Sequence, residues 1–305
     1  MNVLPVISKD GGNSVSDCLQ VADYVKSHVL EISTKPYLRL NQSEVVMEHI
    51  VSISGGTASA VAADRVMTRY GKDNTTLWFA DTLFEDEDLY RFLIDLEAYW
   101  DKEIVRHTDG RTPLEVAEDE QIIPNSWAAP CSHILKQIPF RKFLKTQDAP
   151  VTVHLGLDWS EEHRHAKPKE IYEQIDGVTV DFPLMWKPLP LMSYTKTIEE
   201  WGIKPPRLYE LGFPHNNCGG RCVRQGISEW VRLLKSFPER YEEVRVWEEE
   251  QRAKGGAREN RTILKHRVGG EASPLSLTEL AKRNETTQLE MFNYQGDSYG
   301  CFCEY

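Results

Sequence analysis

The sequence predicts an α/β protein: a mostly parallel sheet of about five strands with helices on both faces, then a cysteine-bearing helical C-terminal part. Three observations predict it. Short apolar runs, "HIVSIS", "TTLWFA" and "VTVHLGL", alternate with stretches of helical spacing. Gly, Asp and Asn bound those runs, as they bound buried strands. The first run passes through Ser54-Gly55-Gly56-Thr57-Ala58-Ser59 straight into a helical pattern, which is how a strand-turn-helix unit begins.

Composition sets the limits. The chain has 305 residues, 40% hydrophobic and 27% charged, enough for a sizeable core in an ordinary globular protein. No apolar run approaches the roughly 18–20 residues that span a bilayer. "MNVLPVISKDGGNSVSD" has neither a basic start nor a long apolar stretch, so no signal peptide is expected, no membrane partner, and a cytoplasmic location. The net charge of −11 disfavours general binding of polyanions. "LKQIPFRKFLK" (135–145) and "KGGARENRTILKHR" (254–267) are locally basic exceptions, read first as solvated faces or loops.

The elements follow in order. Residues 1–44 read as an N-terminal extension with one helix near 16–32. Residues 45–215 form the α/β domain, and 216–305 the helical C-terminal region. "DEDLYRFLIDLEAYW" is a helix with acids in its first turn, where they complement the dipole. The neighbouring run 85–88 is assigned to that role before any role in Mg²⁺ binding. "EIVRHT" is a strand. "SHILKQIPFRKFLK" is a helix that Pro139 should kink or break. From about 183, Pro, Trp and Tyr favour short helices and loops, with Trp186, Trp201 and Trp230 as core residues. A helical stretch covers 226–253, its segment "PERYEEVRVWEEEQR" reading as a solvated face. The polar, Gly-containing segment 254–273 reads as a mobile loop.

The turn at 54–59 has the chemistry of an anion site. Glycines let the backbone turn sharply and approach a ligand, and the first helical N–H groups and dipole favour negative charge. Ser54, Thr57 and Ser59 add hydroxyl donors, so phosphate or pyrophosphate is the natural ligand. The plainer alternative is an ordinary turn with an N-cap serine.

"SGGTASA" resembles the PP-loop, S-G-G-x-x-S, of the adenine-nucleotide α-hydrolase superfamily, which includes ATP pyrophosphatases, tRNA thiolases and sulfonucleotide reductases. Ala58 stands where many ATP-using members carry Asp. "LWFADTLFEDEDLYRFL" resembles the second strand and helix of the PAPS reductase family. That places Asp81 at the carboxyl edge of the sheet, within reach of adenosine or ribose. "PCSHILKQIP" resembles the family's Cys-containing segment. "HLGLDWSEEHR" is similar to its G-x-R-x-x-E-S segment, with Gly156 aligned and Asp158 in place of Arg. "FPLMWKPL" and "WGIKPPRLYELGFPHNNCGGRC" resemble its P-[LI]-x-x-W and g-I-x-x-p-x-L-Y-x-x-G-[FY] motifs. The likeness spans about 47–225 and is nearest to phage- and bacterium-encoded PAPS reductase-like proteins. It implies an adenine nucleotide, ATP or PAPS, on residues Ser54, Gly55, Gly56, Thr57, Ala58, Ser59, Asp81 and Gly156, with Mg²⁺ as a candidate companion.

Six cysteines without a secretory signal suggest metal or redox chemistry rather than disulfides. Cys218 and Cys222 flank "GGR", a spacing that can wrap one metal. With Cys131 and Cys303 they would complete four ligands for a [4Fe–4S] cluster or, alternatively, zinc. His133 and His215 lie nearby and read first as surface or capping residues. Cys18 reads as a lone buried thiol. "CFCEY" stands where the family's reductases carry a catalytic cysteine, so Cys301 and Cys303 are nucleophile candidates as well as ligand candidates; the G-x-H that follows in reductases is absent.

Two functions follow. One is an enzyme of sulfur or adenylyl chemistry, either sulfonucleotide reduction or ATP-dependent sulfur transfer to a nucleic acid or small molecule. The other is a non-catalytic nucleotide sensor or scaffold with a structural zinc. The sequence leaves the oligomeric state open.

Overall fold

The computed structural model describes residues 47–148, 150–190, 193–268 and 271–285, which fall within one compact unit. The helix expected near 16–32 and residues Cys18, Cys301 and Cys303 lie outside the described residues.

Five parallel strands form the main sheet in the order β3-β2-β1-β4-β5. They are β1 Glu48–Ile53, β2 Thr75–Asp81, β3 Ile104–Thr108, β4 Val151–Leu155 and β5 Val178–Asp181. The register pairs Val51 with Leu77 on one side and with His154 on the other. β1 and β2 are buried along most of their length, which is why they read as apolar runs rather than alternating ones.

Helix α1 (Thr57–Tyr70) and helix α2 (Glu87–Trp100) pack on one face, where Ile53, Val66, Phe92 and Leu96 share a core. On the other face lie α4 (Ile138–Leu144) and α5 (Ala166–Tyr172), with Trp78, Phe140, Val153 and Tyr172. Between β3 and α4 come α3 (Pro113–Asp119) and a π-helical turn, Ser132–Gln137. The turn gives way to α-helix at Ile138-Pro139. Pro has no N–H to donate, so the hydrogen-bond pattern can change there at little cost.

The C-terminal part is built from α6 (Pro183–Trp186), α7 (Ser193–Glu200), α8 (Arg207–Glu210), α9 (Ile227–Ser236), α10 (Pro238–Ala253), a hairpin of β6 (Leu264–Val268) and β7 (Glu271–Leu275), and α11 (Leu277–Glu285). It folds back over the carboxyl edge of the sheet, where Phe84, Leu114 and Leu135 share a core with Phe213, Trp230 and Leu280. The expected loop over 254–273 is therefore corrected in part: its second half forms the hairpin. Among the described residues no helix is long and apolar enough to cross a membrane.

Candidate nucleotide site

The loop of residues 54–59 leaves β1 at the point where the strand order reverses, between β1 and β4. Crevices form at such points because successive crossovers leave in opposite directions. Gly55 turns the chain with φ +79°, and a Cβ there would stand 2.6 Å from Leu89 Cδ1. Gly156, at the end of β4, lets that strand approach the first turn of α1; a Cβ on it would lie 2.9 Å from Ser59 Cα.

The hydroxyls divide into two groups. Ser59 Oγ donates to Gly56 O at 2.9 Å and accepts from Ser54 N–H (3.2 Å) and Ser54 Oγ (3.1 Å). It shapes the loop from inside, its own proton turned to Gly56 O. Thr57 is buried at the first helical position. The N-cap is Gly56, not a serine, and no side chain caps the helix. Ala60 N–H, bonded to Gly56 O, is the first in the helix to close on the loop. The α1 N-terminus thus carries no N-cap side chain, and ahead of it Gly56 N–H turns to Ser54 Oγ at 3.4 Å.

Asn216 closes the other side. Its Nδ2 donates to Gly55 O at 2.9 Å, while its Oδ1 is buried without a partner; the residue is 2% exposed. Tyr209 brings its hydroxyl to 3.0 Å from where a Gly56 Cβ would be. Neither Asn216 nor Tyr209 is marked by periodicity or charge. The one sequence signal is their place in the "LYELGFPHNNC" segment.

Asp81 ends β2 and accepts from Leu83 N–H (2.8 Å) and Tyr90 Oη (2.9 Å). Leu83 pays for this turn with φ +55°. Glu85, placed at sequence level among dipole-satisfying acids, is instead buried. It accepts from Thr82 Oγ1 at 2.9 Å and from Cys218 N–H at 2.6 Å, with Lys136 Nζ at 4.0 Å. Burial raises its pKa, against the opposing pull of Lys136 and the two hydrogen bonds. Asp86 does cap α2, accepting from Asp88 N–H. It is also gripped by Arg207 and by Arg240, at 2.7 Å from the latter. Burial alone would raise its carboxyl; the two guanidiniums outweigh burial and hold it below the usual range. Asp158, where the family pattern has Arg, is buried and accepts from Ser160 N–H and Oγ and from Tyr194 Oη.

Lys136 reaches a small cleft at the ends of β1 and β2 with Ser54, Trp78, Phe140 and Tyr172. A larger open hollow lies at the amino end of β3 among Glu97, Asp101 and Glu103. Lys102 and Arg106 line it as well, Arg106 paired with Glu97 at 2.6 Å, and it lies at the opposite end of the strands from the 54–59 loop.

Cys131, Cys218 and Cys222 are in no disulfide, buried and part of one core cluster. Cys131 precedes the π-helical turn, and Cys218 sits at φ +51° beside Gly219 and Gly220. Thiols suit a cluster or zinc, but among the described residues no three Cys, His, Asp or Glu side chains converge to hold a metal. The fourth expected ligand, Cys303, lies outside the described residues.

A parallel sheet with an uncapped glycine turn at its switch point defines a nucleotide-binding α/β protein of PP-loop type. Residues 48–218 match the phosphoadenosine phosphosulfate reductase domain model, and the chain belongs to that family. The family binds sulfonucleotides and is one of enzymes. No curated protein matches the chain. Fourteen solved chains do. One is phosphoadenylyl-sulfate (PAPS) reductase from Candida auris in its phosphate complex, 16% identical, with a TM-score of 0.40 over 68% of this chain and 97% of that one.

Proposed function

We propose that this chain is a cytoplasmic enzyme that binds an adenine nucleotide on the 54–59 loop and performs sulfur or adenylyl chemistry on it. The observation that carries the reading is the uncapped N-terminus of α1, set at the switch point between Gly156 and Asn216. Nucleotide phosphates bind there through backbone N–H groups of the first turn, and those donors stabilise charge on a leaving phosphate. Asp81 meets the adenosine or ribose, and Mg²⁺ accompanies ATP if ATP is the substrate.

Two reaction courses are consistent with this pocket. In sulfonucleotide reduction, a thiolate of Cys301 or Cys303 attacks the sulfonate sulfur of PAPS. An enzyme S-sulfonate forms and adenosine 3′,5′-bisphosphate leaves with the bridging electron pair. A second thiol then releases sulfite and leaves a disulfide. In the ATP-dependent course, an acceptor oxygen attacks the α-phosphorus and pyrophosphate leaves, before a sulfur donor displaces AMP from the adenylated acceptor. That acceptor is a small molecule or a nucleic acid. No step here passes through iron–sulfur or zinc.

Titration calorimetry with ATP and PAPS tests the site. Saturable binding of either, weakened at least about tenfold in Gly55→Ala (1.4 kcal/mol per tenfold), supports it; a wild-type chain that binds neither overturns it. Product analysis separates the courses: sulfite from PAPS with a dithiol, or AMP and pyrophosphate from ATP. Binding with neither product would favour the sensor reading.

A further inference from the structure

We propose that the β6–β7 hairpin is a docking surface for the phosphodiester backbone of a nucleic acid. The chain carries a net charge of −11, yet residues 254–267 hold five Lys or Arg and a single acid, Glu259. Two of those cations are engaged: Lys254 with Glu118, and Arg258 with Gln251. The other three, Arg261, Lys265 and Arg267, are exposed and have no side-chain partner among the described residues.

The register explains why they stay unneutralised. Lys265 faces Pro274 and Arg267 faces Ala272 across the ribbon. Cross-strand neighbours are where an opposing carboxylate would quench a cation. The only acid on β7, Glu271, faces Val268. Lys265 and Arg267 are two apart on one strand, so they project from the same face. Their spacing, about 6–7 Å, is close to the separation of successive phosphates along a nucleic-acid strand.

The ribbon is also held stiffly. Glu248, fully buried in α10, accepts from Ile263 N–H before β6 and from Leu277 N–H after β7, each at 2.7 Å. Thr262 Oγ1 adds a bond to Leu264 O and accepts from Leu275 N–H at 3.2 Å. A ribbon fixed at both ends presents its cations without a large ordering cost, and two-stranded ribbons of this kind fit nucleic-acid grooves. The surface rests on the proposed function only in making the bound polynucleotide the acceptor; binding itself is independent of it.

The test is fluorescence anisotropy with labelled 24-mers of one sequence, as single-stranded DNA, duplex DNA and RNA, across a salt series. Wild type should bind at least one form. The variant Arg261→Ala/Lys265→Ala/Arg267→Ala should bind at least about tenfold more weakly and lower the log K–log salt slope by about 2 on a single strand or about 2.7 on duplex DNA, the release expected for three phosphate contacts. The control Lys72→Ala/Lys142→Ala/Lys145→Ala removes exposed cations elsewhere and should change neither. Single Lys265→Gln should give an intermediate loss, which guards against a triple variant that does not fold. Absence of binding by wild type, equal losses in the control, or equal competition by polyglutamate per unit charge would each overturn the proposal. ATP and PAPS titrations of the same preparations keep the two readings apart: the triple variant should bind nucleotide as wild type does.

Discussion

At the level of single residues, the loop is governed by what lacks a side chain. Gly55 meets two constraints at once, a left-handed backbone and a close approach to Leu89. Gly55→Ala should therefore lose about 1–2 kcal/mol of stability from backbone strain alone, on top of displacing Leu89. Gly156→Ala has ordinary dihedrals but drives a methyl into Ser59 Cα, which is backbone and cannot rotate away. It should shift the first turn of α1 and weaken nucleotide binding more than it weakens the fold. Paired urea unfolding and nucleotide titration check both; a Gly156→Ala chain with wild-type nucleotide affinity would show that the turn is not the binding element. Glu85 acts in the opposite way, through an acceptor that must be present. Glu85→Ala leaves the buried Cys218 N–H unpaired and should cost about 1–3 kcal/mol. Glu85→Gln keeps an acceptor and should cost less. Equal losses in the two would mean the bond to Cys218 contributes nothing.

Among elements, the hairpin shows how a polar segment becomes ordered. Its strands carry little apolar surface, and it is fixed by the two hydrogen bonds that Glu248 accepts. Burial raises the Glu248 pKa while those backbone bonds oppose the rise. Glu248→Ala orphans both N–H groups and should cost about 2–4 kcal/mol. Hydrogen exchange should speed up at Ile263 and Leu277 first; unchanged protection there would remove Glu248 from this role. These contacts explain which elements the sequence makes legible. β1, β2 and β4 are central and buried, so apolar runs mark them. "LKHRV" and "EASPL" offer no such run and read as a loop. The α10 segment looks like a solvated face, yet Glu248 and Arg240 within it are buried. The candidate site divides in the same way. Its glycines and Asp81 are legible because turn chemistry is local. Asn216 reaches Gly55 across 161 residues, and Glu85 reaches Cys218 across 133, and no local pattern encodes either.

For the molecule as a whole, the carboxyl edge of the sheet and the C-terminal part share one core, with Phe84 and Leu114 beside Trp230 and Leu280. A chain ending at residue 215 would expose that core and lose the Arg240 grip on Asp86. It should fail to unfold cooperatively, whereas a free-standing 45–215 domain would give a single sharp transition. The pH response has a separate origin. On the α1 face of the sheet, His49 and His154 are joined at 2.9 Å, with Asp181 3.6 Å beyond and Tyr70, Trp186 and Arg69 around them. Burial first, then the neighbouring His49 and Arg69, push the His154 pKa down from 6.5 to about 3. The unfolded chain takes up a proton near its ordinary value and the folded chain does not. Stability is therefore full above pH ~6.5 and falls as the pH drops toward the folded value, by about 1.4 kcal/mol per pH unit for one such group. Carboxylates with ordinary values contribute little between pH 5 and 6.5, while Glu85 and Glu248, raised by burial, act against this slope, so the difference between wild type and His154→Gln is what isolates the histidine. His49 and His165, both lowered mainly by burial, add to the same limb. Urea unfolding at pH 5.0, 5.5, 6.0 and 6.5 should show this slope, and His154→Gln should reduce it by about one proton even though the variant is less stable at every pH. A slope unchanged in His154→Gln would mean that His154 takes up its proton in the folded chain, and that the pair with His49 is open to water.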